Sequence, residues 1–292
     1  DLFDEGVSYR PGTRFGPSAV RTAEDVNQTG DRSSVNAGID PLAELRIIDW
    51  GDIDVIASDL TRSHDLLAEA VGAALAVGTL PVVIGGDHSL GAGSVGASAD
   101  FAKARGQELG VLWIDAHADM NTPATTPSGN VHGMPLAALL GQEPLELARL
   151  GTHCPKIRPS NTVLIGIRNL DDAEKTKVRD AGVHVFTMKD IDRMGIATVM
   201  ERAIALAGDG TAGLHVSFDL DVCDPSIAPG VGTPVKGGLN YREAHMVMEM
   251  VADADRLLAL DLVEINPILD AQNQTAQLGV ELALSAFGMR II

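Results

Sequence analysis

Six short apolar runs, each followed by a segment of helical pattern, constrain this chain more than any other feature. The runs at 81–84, 111–116, 162–167, 183–186, 214–220 and 257–265 read as strands. Helices are expected at 66–77, from 89 to about 105, around 136–140, and at 171–181, 190–207, 241–254 and 274–287. Strands without polar alternation belong in a parallel sheet covered on both faces, because both of their faces must leave water. The expected fold is α/β: three layers, α/β/α, around a central and mostly parallel sheet. No internal repeat, low-complexity tract or linker divides the chain, so residues 1–292 read as one domain. With 292 residues, 45% of them hydrophobic, the core can be large. In such sheets ligands bind beyond the carboxyl ends of the strands.

Three segments of one chemical type lie at those ends. They are Gly85-Gly86-Asp87-His88-Ser89, Asp115-Ala116-His117-Ala118-Asp119 and Ser217-Phe218-Asp219-Leu220-Asp221. Strand alternation would project Asp115, His117 and Asp119 together, and Asp219 with Asp221, if the chain stays extended. Carboxylates crowded this way repel one another unless a cation compensates them. Four aspartates carry four negative charges, which two divalent ions would cancel. Hard oxygen donors with one or two imidazoles and no thiolate suit manganese, magnesium or iron better than structural zinc. One Asp-x-His-x-Asp alone would read equally well as a surface turn. Three such segments after apolar strands outweigh that reading.

The loop that follows the second segment is rich in short hydrogen-bonding side chains: Asn121, Thr126, Ser128, Asn130 and His132. Composition alone describes an ordinary turn-rich loop, but polar loops at strand ends orient substrates. His132 is a candidate proton carrier, because imidazole titrates near neutrality. Glu264 ends the last apolar run, where it would bind a metal, a cationic substrate or a structural partner. Arg168, Asn169, Asp171 and Glu174 form another polar edge, readable also as a helix cap with solvated charges. His215 sits in an apolar strand and reads as a satisfied core histidine. Cys154 and Cys223 read as free thiols, Cys223 as a small packing residue with a metal role as the alternative.

The net charge of −18 disfavours nucleic acid and anionic membranes as partners and mildly favours a cationic substrate. No apolar run reaches transmembrane length and no signal-peptide pattern opens the chain, so a cytoplasmic location is expected.

Together these residues resemble the ureohydrolase family and, within it, the arginases, over nearly the whole chain. The set GGDHS, DAHAD and SFDLDVCDP carries the resemblance. It extends through 125–133, through 231–238 with Tyr241-Arg242-Glu243, and through Glu264-Ile265-Asn266-Pro267. The resemblance implies two manganese ions per subunit. One would take His88, Asp115, Asp119 and Asp219; the other His117, Asp115, Asp219 and Asp221, with Asp115 and Asp219 bridging. It makes His132 the proton shuttle and Glu264 the partner of the guanidinium, and counts Asp119 with them as catalytic. Asn121, Thr126, Ser128 and Asn130 match positions around a substrate α-carboxylate. Asp171 and Glu174 match positions around its α-amino group, and Thr233 joins the substrate-binding set. A homotrimer or homohexamer is implied, with Asp192 and Arg242-Glu243 at intersubunit positions. Two departures stand out. The stretch 8–17 is more similar to agmatinases and guanidino-acid hydrolases. Asn169 stands where arginases commonly carry Asp, which would leave the amino-group end of the pocket one carboxylate short.

The chemistry implied is hydrolysis of arginine to ornithine and urea. A guanidinium is resonance-stabilised and a poor electrophile, so it needs hydroxide. Water shared by two divalent cations loses a proton far more readily than bulk water. The alternatives are an agmatinase or other guanidino-acid hydrolase, a non-catalytic metal-bound regulator of the same fold, and a single-metal, deacetylase-like amidohydrolase. The regulator predicts a missing ligand. The amidohydrolase has no work for Glu264.

Overall fold

The computed structural model describes residues 10–29, 44–56 and 58–289. Among them runs a six-stranded, all-parallel sheet: β1 (Val82–Ile84), β2 (Glu108–Ile114), β3 (Thr162–Ile167), β4 (His184–Thr187), β5 (Thr211–Asp219) and β6 (Leu257–Val263). Their spatial order is β1-β6-β5-β2-β3-β4. Ten α-helices accompany them among the described residues: α1 (Gly16–Thr29), α2 (Leu60–Ala76), α3 (Gly91–Ala104), α4 (Pro135–Leu139), α5 (Leu145–Ala148), α6 (Asp172–Ala181), α7 (Met188–Met194), α8 (Ile196–Gly208), α9 (Tyr241–Asp253) and α10 (Gln274–Ala286). No helix among the described residues is long and apolar enough to cross a membrane.

Side-chain alternation divides the core into two layers. Leu112 and Ile114 of β2 join Leu214, Val216 and Phe218 of β5 under α1, α8, α9 and α10. Val111 and Trp113 face the other way, with Leu164, against Val95 of α3, Leu136 of α4 and Val178 of α6. All of these strand residues are fully buried, which is why the runs show no polar alternation.

Local signals set the element boundaries. Asp59 caps α2 and Asp171 caps α6, each accepting a backbone N–H from the first turn. Reciprocal capping boxes open α7 (Thr187 with Asp190) and α9 (Asn240 with Glu243). The helix expected over 190–207 is two helices. Gly195 breaks it at φ 80°, a conformation that glycine adopts without a Cβ clash. Strand β5 stops at Asp219 rather than 220, and a 3-10 turn, Leu220–Val222, follows. Helices α1 and α5 were not expected. Helix α5 has only four residues, too few to show a period.

The chain order creates the crevice. From β2 the chain runs outward to β3 and β4. It then returns to β5 on the other side of β2 and continues outward to β6. Connections leaving the carboxyl ends of neighbours β2 and β5 therefore diverge, which is the topological switch at which open α/β sheets hold ligands. Of the stretch 8–17, Ser8 and Tyr9 lie outside the described residues. The carbonyls of Arg10 and Pro11 accept from Asn266 Nδ2 at 2.9 and 3.3 Å, tying this stretch to the segment after β6.

Candidate metal centre and its substrate loop

The three acidic segments converge at the carboxyl ends of β1, β2 and β5, but simple strand alternation is not what aims them. Strand β2 ends at Ile114, so Asp115 to Asp119 is irregular chain. Asp119 takes a left-handed backbone, φ 52°, and its carbonyl accepts from Leu136 N and Ala137 N at the start of α4. Glu264, just beyond β6, is left-handed too, at φ 64°. Non-glycine residues pay about 1–3 kcal/mol for such a backbone, a strain that clusters at functional sites.

His88 Nδ1 lies 3.0 Å from Asp115 Oδ2, 3.2 Å from Asp119 Oδ2 and 3.2 Å from Asp219 Oδ2. One ring nitrogen can satisfy only one of these oxygens. Neighbouring ligands around a small six-coordinate cation stand about 3 Å apart, given bonds near 2.1 Å. The arrangement is that of a coordination shell. His88, Asp115 and Asp219 offer ligand atoms within 4.8 Å of one another, as do Asp115, His117 and Asp221. His117 Nδ1 is 3.0 Å from Asp221 Oδ2 and 3.5 Å from Asp115 Oδ1. The two groups share Asp115 and fit a binuclear metal site. Asp219, expected as a second bridge, joins only the first group, and its Oδ1 accepts Asp221 N at 2.7 Å.

The protein alone offsets this crowding by holding protons. Burial, then the charges of Asp221 and Asp115, raises the Asp219 carboxyl well above the carboxylate range. Burial and Asp115 push Asp119 up to about 6. Burial opposes charge on His88 and His117, yet the surrounding carboxylates raise both well above ordinary histidine. Asp115 runs the other way: burial opposes its charge, but hydrogen bonds from His117 and His88 hold it below the usual carboxylate range, so the raised groups around it report the demand for positive charge.

Glu264 stands beside this cluster and is 1% exposed. Its Oε1 accepts His88 N at 3.0 Å and lies 3.0 Å from His132 Nδ1, while its Oε2 has no partner. An unpaired buried carboxylate oxygen is costly and suits a cationic guest. Burial disfavours the His132 imidazolium, but the Glu264 hydrogen bond and charge lift it to about 9.

The tip of the 121–133 loop is held by its own short side chains. Thr126 Oγ1 accepts Gly129 N and Ser128 Oγ accepts Asn130 N, at 3.0 and 3.2 Å. Asn121 is buried and internally engaged: Nδ2 donates to Asp171 Oδ2 at 2.8 Å, and Oδ1 accepts from Thr125. Glu174 accepts Met120 N, and burial pushes its carboxyl up to about 8. Thr233 donates to Asp221 Oδ2 at 3.0 Å, so it touches the acidic cluster itself. Asn169, read as part of the same polar edge as Asp171 and Glu174, stands beside the acidic cluster. Its Nδ2 lies 3.4 Å from His117 Nε2. Cys223 packs in the core, where burial pushes its thiol up, and is no part of the cluster.

Two contributors, Trp113 and Ser217, were not singled out from the sequence. Trp113 stacks on His88 with centroids 4.0 Å apart and donates to Asp115 Oδ2. Ser217 Oγ is 2.8 Å from His88 Nε2. It shares a face with His215 and Asp219, and in register it neighbours Asp261. His215 itself sits between Ser98 and Asp261, at 2.9 and 3.0 Å, a buried partnered histidine as expected. The polar residues at 215, 217 and 219 in an apolar strand were the available signal. Arg168 donates to the carbonyls of Asp221 and Val235, both at 2.7 Å, clamping the 3-10 turn after β5 to the 224–238 loop.

The chain is similar to known proteins over nearly its whole length. The family model described as the arginase family matches residues 2–288. An arginase of Bacillus caldovelox is 43% identical over 290 residues, covering 97% of this chain and 95% of its own. An arginase of Bacillus subtilis (strain 168) is 40% identical over 285 residues, covering 97% and 94%. The crystal structure of arginase from Bacillus subtilis superposes with a TM-score of 0.89 at 40% identity, covering 100% of this chain and 96% of that one.

Proposed function

The chain belongs to the arginase family, and from that membership we infer that it is a hydrolase opening the guanidinium of L-arginine to L-ornithine and urea. Two divalent cations, manganese in this reading, would be held by His88, Asp115, Asp119 and Asp219 and by His117, Asp115 and Asp221. When bound they make water ionisable near neutrality.

The chain's own residues supply the rest. Glu264 pairs through its free Oε2 with the guanidinium and turns the electrophilic carbon toward the attacking water. A bond forms from water oxygen to that carbon, and the bond from the carbon to the side-chain nitrogen breaks. The leaving amine is strongly basic and departs only with a proton. His132 gives it that proton: its Nδ1 is tied to Glu264, which leaves Nε2 for the leaving nitrogen. Asp119 completes the cluster with its strained backbone. Ser128 and Asn130 receive the substrate carboxylate, with Thr126 shaping the loop, while Glu174 and Asp171 face the amino group. Thr233 steadies Asp221 at the edge of the pocket. Residues 1–292 act as one domain, in the cytoplasm, as a homotrimer or homohexamer.

The observation that carries this reading is the unpaired, buried Glu264 oxygen beside a carboxylate cluster that demands cations. Stripping metal with a chelator should abolish urea release, and manganese should restore it at two ions per chain. Full activity after stripping would reject the reading. Agmatine stays in view as a substrate for one reason. Asn121, one of the matched carboxylate positions, spends its amide on Asp171 and Thr125.

A further inference from the structure

His117 and His88 offer Nδ1 to the acidic cluster, but their opposite nitrogens meet different partners. Those of His88 are buried and tied to Ser217. The His117 side chain is 23% exposed, and Asn169 stands 3.4 Å from its Nε2. Backbone geometry enforces this neighbour. Arg168 N and Asn169 N both donate to the carbonyl of Ala116, the residue before His117, at 2.9 and 3.1 Å. Whatever side chain occupies position 169 leaves the backbone beside the ring.

A histidine that gives Nδ1 to a cation keeps its hydrogen on Nε2, and that N–H wants an acceptor. Rotating the Asn169 carboxamide about its Cβ–Cγ bond turns Oδ1 toward it. A carboxamide oxygen is neutral, whereas a carboxylate there would draw the proton more strongly and make the ring a better donor to the cation. We propose that Asn169 is a positioning residue for His117 and sets the affinity of the His117–Asp221 half of the centre below what an aspartate of the same length would give. The inference rests on the two-cation reading, and it makes residue 169 a tuner of metal demand.

The test is manganese titration of chelator-stripped protein, counting free ion by its electron paramagnetic resonance signal, for wild type, Asn169→Asp, Asn169→Ala and His117→Asn. Every protein with His117 should bind two ions. Asn169→Asp should tighten one of the two by about tenfold or more and leave the other unchanged. Asn169→Ala should weaken the same one. In the double variant with His117→Asn, the gain from Asn169→Asp should vanish, as a direct coupling requires. Equal tightening of both ions would reveal only added bulk charge and overturn the proposal. So would unchanged affinity in both Asn169 variants, since water would then be the true partner of His117. A wild type that binds fewer than two ions would instead overturn the two-cation reading beneath it.

Discussion

The carboxylate cluster and the loop beside it are built by opposite means. Cluster side chains follow the carboxyl ends of β1, β2 and β5, and His88, Asp115 and Asp221 are at most 1% exposed. Neighbouring strands, Trp113 and Ser217 fix them from behind. The loop from 121 to 133 is anchored at its ends, by Asn121 to Asp171 and by His132 to Glu264, but its tip at 126–130 is held by its own hydroxyls and amides, and Ser128 is exposed. Rigid strand ends suit a cation site, which needs several charged groups held against their own repulsion. A loop held by short hydrogen bonds can vary without disturbing that site, and so it is where substrate choice belongs. Changes to the cluster should therefore destroy chemistry on every substrate, and changes to the loop should redistribute it among substrates.

The largest effect is expected from Asp115→Ala. It removes the ligand that both groups share, so metal analysis should find both ions lost and urea release reduced by roughly a thousandfold or more. Retention of either ion would break the shared-ligand assignment. Glu264→Gln comes next. It keeps the shape but removes the charge, and kcat/KM should fall roughly 10²–10³-fold with metal content intact. Full activity would remove the guanidinium anchor.

His132→Asn should cost somewhat less, on the order of 10²-fold, as loss of a proton donor commonly does. Its pH signature is sharper than its size. Burial lowers the pKa of His132, but the contact with Glu264 outweighs this and raises it to about 9. The donor is thus charged below that value and lost above it. In the wild type the rate should rise with pH as the attacking water ionises and fall above about 9. In the variant the falling limb should be absent while the rising limb persists. The smallest effect belongs to the loop: Ser128→Ala or Asn130→Ala should slow arginine hydrolysis by about tenfold and leave agmatine unchanged. Equal losses on both substrates would erase the contrast between loop and cluster.

Much of this contrast was legible in the sequence. The apolar runs announced parallel strands because complete burial leaves a compositional trace, and β3 falls at 162–167 as expected. The ligand types marked the cluster because no apolar core tolerates so many unpaired charges. What composition could not carry was backbone conformation. Nothing in the letters shows that Asp119 and Glu264 turn left-handed. Extended alternation was therefore the wrong reason for a correct convergence. The closeness of Asn169 to His117 was hidden for a related reason. Its position depends on which carbonyl its backbone N–H finds, and that carbonyl, Ala116, lies 53 residues away on another strand's end.

The most direct test of the central claim is urea release by manganese-loaded protein from L-arginine and from agmatine, which lacks the α-carboxylate. A cation cluster that acts on guanidinium, joined to a loop that reads the carboxylate, should give kcat/KM for arginine roughly a thousandfold above that for agmatine. Equal values, or a preference for agmatine, would contradict it.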